Sequence, residues 1–96
     1  MNKHIICKIK CKASDHDIVS KILKKYINPA REEGCLYYDL YADSNDLGIF
    51  YIIDGWLDDE AVAKHVKNPN VIRVNKLLEP YLLEKQQLTW LNKLEE

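Results

Sequence analysis

Cys35-Leu36-Tyr37-Tyr38-Asp39-Leu40-Tyr41-Ala42, then Asp43-Ser44-Asn45-Asp46 and Gly48, then Ile49-Phe50-Tyr51-Ile52-Ile53-Asp54-Gly55-Trp56, has the outline of a hairpin. The first run sets Leu36, Tyr38 and Leu40 against Tyr37, Asp39 and Tyr41, the period of two that a strand requires. Asp, Ser and Asn between two β-prone runs are turn formers, because their short side chains bond to the local backbone. The run from Ile49 to Ile53 is apolar on both faces, which suits an interior strand better than an edge.

Working outward, Gly34 supplies a left-handed stop for a helix that precedes the hairpin. Ser14 stands three residues before Asp17 in a capping-box-like start, and Val19, Ile22, Leu23, Tyr26 and Ala30 recur at helical spacing. Pro29 is expected to kink that helix or end its regular hydrogen bonding. Ahead of it, His4 to Lys12 alternates, with Ile5, Cys7, Ile9 and Cys11 on one face. Beyond the hairpin, Asp58 and Asp59 cap a second helix whose Ala61, Val62, His65 and Val66 share a face. Asn68-Pro69 interrupts it, and Pro69 restarts a third helix with Val71, Val74, Leu78 and Leu82 inward and Arg73, Lys76 and Glu79 outward. Pro80 marks the approaching end, and Glu84 to Leu94 alternates again as a fourth strand with Leu88, Trp90 and Leu94 on one side.

The order β-α-β-β-α-α-β is the split βαβ arrangement of α+β, ferredoxin-like folds: a four-stranded antiparallel sheet with helices on one face. At 96 residues the chain reads as a single domain, 1–96, with a modest core. Strands two and three carry apolar and aromatic residues on both faces, so the sheet face away from the helices calls for cover. A second copy packed sheet to sheet is the economical solution, with Trp90 a candidate to reach across.

Composition narrows the function classes. With 30% charged residues and a net charge of -1, no field of one sign exists to attract a phosphate backbone, which argues against nucleic acid as a partner. The apolar runs fall far short of a bilayer span, and Met1-Asn2-Lys3-His4 leads into a strand pattern rather than a signal-type apolar core. A soluble, cytoplasmic protein is expected. Cys7, Cys11 and Cys35 form no C-x-x-C pair, so reduced, mostly buried thiols are the natural reading. No nucleotide-binding glycine pattern, nucleophile elbow or H-E-x-x-H occurs, and no local His and carboxylate cluster has metal-ligand spacing. Neither a cofactor nor a metal is therefore expected.

Arg31-x-x-Gly34-Cys35-Leu36-x-Tyr38-x-Leu40, then Phe50 and Asp54-x-Trp56, then His65 and Asn68-Pro69, together resemble the antibiotic biosynthesis monooxygenase family over nearly the whole chain. The resemblance implies a homodimeric α/β barrel, and relatives that oxygenate quinols and polyketide naphthols without flavin, metal or haem. It also implies relatives that degrade haem or metabolise signal molecules. Against the family pattern, Asp54 replaces a Glu and is one methylene shorter. Ile52 stands where some oxygenases carry Asn, Ile6 and Cys7 stand where the haem-degrading branch needs Asn, and Asn70 replaces a His.

From these positions come the candidate site residues. His65, on an apolar helix face, is either a core histidine bonded to a carbonyl or a base for a phenolic substrate. Trp56 either fills the core or takes part in catalysis by stacking on a flat ligand. Tyr38, Ile52, Phe50 and Tyr26 are candidate substrate contacts, although which sheet face lines a pocket is left open by the pattern. Asp54 calls for a bonded partner, and Cys35 has no basic residue beside it to activate a thiolate. The expected function is a cofactor-independent monooxygenase acting on a quinol, naphthol or similar small aromatic molecule with dioxygen. The alternatives are a non-catalytic ligand-binding or stress-response barrel, or an isomerase of a small oxygenated signal metabolite.

Overall fold

The computed structural model describes residues 2–26 and 32–95, Tyr26 in its backbone alone. The expected kink at Pro29, the helical positions up to Ala30, the motif residue Arg31 and the side chain of Tyr26 lie outside the described residues. Strands β1 (Lys3–Lys10), β2 (Cys35–Ala42), β3 (Ile49–Trp56) and β4 (Gln87–Leu91) combine with helices α1 (His16–Tyr26), α2 (Asp59–Lys67) and α3 (Pro69–Leu78). The strands form one antiparallel sheet in the order β2-β3-β1-β4. This is the expected α+β architecture, with the doubly apolar β3 in the interior.

Local chemistry sets the element ends. In the hairpin, the Asp43 carboxylate accepts from the N–H of Asn45 at 2.9 Å and of Asp46 at 3.1 Å, the Asx bonding expected of the turn. Asp58 caps α2 by accepting from the Ala61 N–H, and Asn68 caps α3 by accepting from the Asn70 N–H with Pro69 in the first turn. Gly34 has φ +84°, and a Cβ there would stand 2.6 Å from the Ala61 Cβ. Only glycine satisfies both the left-handed backbone and that approach.

The helices cover one sheet face. Val19 and Leu23 of α1 and Val74 and Leu78 of α3 join Cys7, Ile9, Phe50 and Ile52 in one buried cluster. A second cluster joins Ala61 of α2 to Ile5 and Trp56. On the opposite face stand Ile6, Tyr37, Tyr41, Tyr51, Ile53 and Leu91, with Tyr41 51% and Leu91 40% exposed. Tyr37 lies across Gly55, where an added Cβ would clash with its ring at 2.2 Å.

Three expectations are corrected. Strand β4 spans five residues rather than Glu84 to Leu94, because its pairing runs only from His4 to Lys8 of β1. The register of β2 shifts between Cys35 and Tyr37, so Cys35 packs against Trp56 while Leu36 is exposed instead of sharing the face of Tyr38. Ser14 does not cap a helix: a 3-10 turn, Ala13–Asp15, precedes α1 without a side-chain cap.

Candidate active site

A cavity of about 170 Å³ lies between the sheet and the α2–α3 corner. Its floor is two cross-strand rows on the helix side of the sheet, fixed by the pairing of Tyr38 with Asp54, Asp54 with Ile5 and Ile5 with Trp90, and of Ile52 with Cys7 and Cys7 with Leu88. Val62, His65 and Val66 of α2 and Val71, Val74, Asn75 and Leu78 of α3 form the roof, and Gln86 closes one side. The break at Asn68-Pro69 turns α3 away from α2, so two short helices wall a space that one straight helix would leave open on a side. The mouth lies by β4, whose Leu88 and Trp90 are more than half exposed.

His65 is the cavity's clearest candidate base. Its Nδ1 is 2.8 Å from Glu32 Oε2, and the two side chains are only 13% and 16% exposed. The other carboxylate oxygen, Oε1, accepts from Asn68 Nδ2 at 2.8 Å. A carboxylate only accepts, so Nδ1 carries a proton, and in the neutral imidazole it is Nε2 that holds the lone pair. Asn68 uses both ends of its amide, one to cap α3 and one to hold Glu32. The ring of His65 packs 4.4 Å from the Trp56 ring and 5.7 Å from the Tyr38 ring, centroid to centroid, so its plane is fixed by packing as well as by bonding.

Trp56 is fully buried and stands behind the cavity wall rather than in it. Its Nε1–H donates to Asp54 Oδ2, the partner a buried carboxyl needs. Burial nevertheless pushes the Asp54 carboxyl above its ordinary range, partly offset by the Trp56 bond and the nearby His65. Burial likewise pushes the Tyr38 hydroxyl up, helped by Asp54, so it faces the cavity as a neutral donor. Cys35 is also pushed up by burial, and its thiol donates weakly to the Tyr37 carbonyl.

Of the residues singled out in the sequence, His65, Tyr38 and Ile52 line this cavity together. Phe50 does not: it is buried, stacks on His16 at 5.0 Å and borders a separate groove with Ser20, Lys24 and Leu40. The pleat points it to the same sheet face as Ile52, but two residues nearer the hairpin, under α1. Glu32, Asn75 and Gln86 were not singled out, and Asn68 stood out only in the helix break and the family pattern, not as a site residue. Glu32 meets His65 across 33 residues, and its one local signal is a carboxylate two places before a glycine stop. Among the described residues, no group of three or more His, Cys, Asp and Glu is placed to hold a metal ion.

The family model for antibiotic biosynthesis monooxygenase matches residues 4–77. The chain belongs to the antibiotic biosynthesis monooxygenase family. Among solved structures, it resembles PA3566 from Pseudomonas aeruginosa at 28% identity, covering 97% of this chain and 94% of that one with a TM-score of 0.88. A structure described as an antibiotic biosynthesis monooxygenase is 25% identical, with 98% and 99% coverage and a TM-score of 0.88. Rv0793 from Mycobacterium tuberculosis, at 21% identity, 100% and 98% coverage and a TM-score of 0.90, shares the fold. No curated protein matches the sequence. Within the family pattern, the shorter Asp54 still reaches the indole of Trp56, and Asn70 is exposed at the start of α3, outside the cavity lining.

Proposed function

We propose that this protein is a monooxygenase-type oxidoreductase that takes a small phenolic or quinolic aromatic molecule into the cavity and deprotonates it with His65. The observation that carries the reading is the Glu32–His65 pair, which binds the Nδ1 side of an imidazole lining a mostly apolar cavity, so that Nε2 is the nitrogen able to take a proton when the ring is neutral. An engineered cavity of about 150 Å³ takes up benzene, so the volume here suits one substituted ring, with more of the ligand passing out beside Trp90. An apolar surround favours the flat hydrocarbon, and a base among a few polar groups orients its hydroxyl.

Proton removal by a positioned imidazole gives an electron-rich phenolate. The phenolate passes one electron to dioxygen, and the radical pair joins as a C–O bond at a ring CH ortho or para to the hydroxyl. Loss of water from that hydroperoxide leaves a quinone: one oxygen atom enters the product, the other leaves as water, and the substrate supplies both electrons. His65, protonated in the first step, is the natural donor to the departing oxygen. Trp56 and Glu32 act through His65, fixing its plane and tautomer.

The test is oxygen uptake by the purified protein against hydroquinones, naphthoquinols and anthrones, with His65→Ala as control. Saturable uptake that falls in the variant supports the proposal. Uptake at the autoxidation rate with every substrate sinks it, and ligand binding retained in that case would favour the non-catalytic barrel. The sheet face bearing Tyr41, Tyr51, Ile53 and Leu91 further supports a homodimer, for which a monomeric mass at micromolar concentration is the contradicting result.

A further inference from the structure

The half of the cavity away from His65 carries a second polar feature. His65 stands over the row of Tyr38, Asp54 and Ile5, whereas Cys7 lies two residues further along β1, about 7 Å away by strand rise. The Cys7 thiol donates to Gln86 Oε1 at 3.3 Å, and Gln86 Nε2 donates to Asn75 Oδ1 at 3.2 Å. All three residues line the cavity among aliphatic side chains.

The direction of this relay is fixed at its buried end. The Gln86 amide presents its carbonyl to the Cys7 Sγ and its N–H to the Asn75 carbonyl, and burial, which pushes the Cys7 thiol up to about 12, keeps the S–H in place as the donor. That in turn holds the Asn75 carbonyl toward Gln86 and turns the Asn75 amide N–H, which has no partner in this relay, toward a ligand. The two ends of the cavity therefore differ in hydrogen-bonding character: a neutral His65 presents a lone pair, and Asn75 presents an N–H.

We infer that Asn75, oriented through Gln86 by Cys7, determines specificity by binding an acceptor oxygen on the ring edge remote from the hydroxyl that His65 receives. The ligand class is a flat aromatic with a hydroxyl donor at one end and a carbonyl, ether or second hydroxyl oxygen at the other. The inference rests on the cavity's being the ligand site of the proposed function, but it does not require turnover.

The probes are 4-methoxyphenol and 4-ethylphenol, near-isosteres of closely similar acidity that differ in one oxygen for one methylene. Their affinities are measured by calorimetry on the whole chain. Wild-type protein is expected to prefer 4-methoxyphenol by about fivefold, the worth of one net hydrogen bond, against the greater hydrophobicity of the ethyl compound. Asn75→Leu, on an exposed position of α3, is expected to abolish or reverse that preference while 4-ethylphenol still binds. Gln86→Met, which removes the middle of the relay and leaves Asn75 in place, is expected to reduce it at least twofold. Wild-type preference for 4-ethylphenol, or a preference unchanged by Asn75→Leu, overturns the inference, and full preference in Gln86→Met overturns the relay. Because neither probe has to react, absent oxygen uptake would leave a measured preference intact, and absent preference with intact uptake would sink this inference alone.

Discussion

Replacing Gly34 by Ala tests whether the turn that delivers Glu32 to His65 is as constrained as the geometry implies. Two costs add. A Cβ at φ +84° costs about 1–2 kcal/mol from the left-handed backbone. The same Cβ would stand 2.6 Å from the Ala61 Cβ on α2, an overlap of the kind that costs about 1–3 kcal/mol to relieve. The sum, about 2–5 kcal/mol, is a large fraction of the 5–15 kcal/mol, roughly, that holds a small domain folded. Urea denaturation followed by tryptophan fluorescence reads the loss directly. The second substitution Ala61→Gly separates the two causes. Alone, it costs about 1 kcal/mol of helix propensity and about 0.8 kcal/mol of buried methyl. In the Gly34→Ala background it removes the overlap and lets the new methyl occupy the vacated space, so its cost is expected to vanish or change sign. A Gly34→Ala protein within about 0.5 kcal/mol of wild type, the range of an ordinary surface change, would mean that neither the backbone nor the overlap constrains this turn. An Ala61→Gly cost that is the same in both backgrounds would rule out the overlap.

Trp56→Phe keeps the ring against His65 but removes the donor from Asp54, and is expected to cost about 1–3 kcal/mol at pH 7. The sign with pH follows from the carboxyl, which burial already holds above its ordinary 3.8: its charged form burdens the folded state, so stability is fully present below 3.8 and is lost as pH rises through the folded value. Losing the Trp56 bond raises that value further, so the cost should be larger at pH 7 than at pH 3.5, and denaturation at both pH values checks it. Glu32→Gln leaves one oxygen for the two donors of His65 and Asn68; kcat is expected to fall about tenfold with little change in KM, against about 10²–10⁴-fold for His65→Ala, in steady-state oxygen uptake. Ligand quenching of fluorescence should survive in Trp56→Phe and disappear in Trp90→Phe, because Trp90 borders the cavity and Trp56 is sealed behind it.

The strands of the hairpin could be read to the residue because two independent signals, side-chain alternation and turn chemistry, end at the same places. Strand β4 could not, because alternation continues through Glu84 to Leu94 while its hydrogen-bonding partner supplies only His4 to Lys8. Leu36 was misplaced for a related reason: a register shift beside the bulk of Trp56 leaves no trace in the periodicity of β2. At the site, the sequence could place His65, Tyr38 and Ile52 on apolar faces, and the fold brings those faces together. It could not show that Glu32, in a charged turn, would lie against His65, nor that Asn75 and Gln86 would meet over Cys7. Such pairings depend on how α2 and α3 settle on the sheet, and a polar residue destined for one of them looks like any solvated one. Phe50 has the periodicity of a pocket residue, but its place along β3 puts it under α1 instead.

The proposed chemistry depends on His65 taking the proton of a bound phenol, and the most direct measurement is the titration of 4-nitrophenol, whose phenolate is coloured, in complex with the protein. If His65 Nε2 receives the proton, the bound phenol ionises at lower pH than the free one, and the shift is lost in His65→Ala. A bound phenol that ionises at or above the free value in the wild-type protein would mean that the apolar cavity dominates and that His65 is not the base.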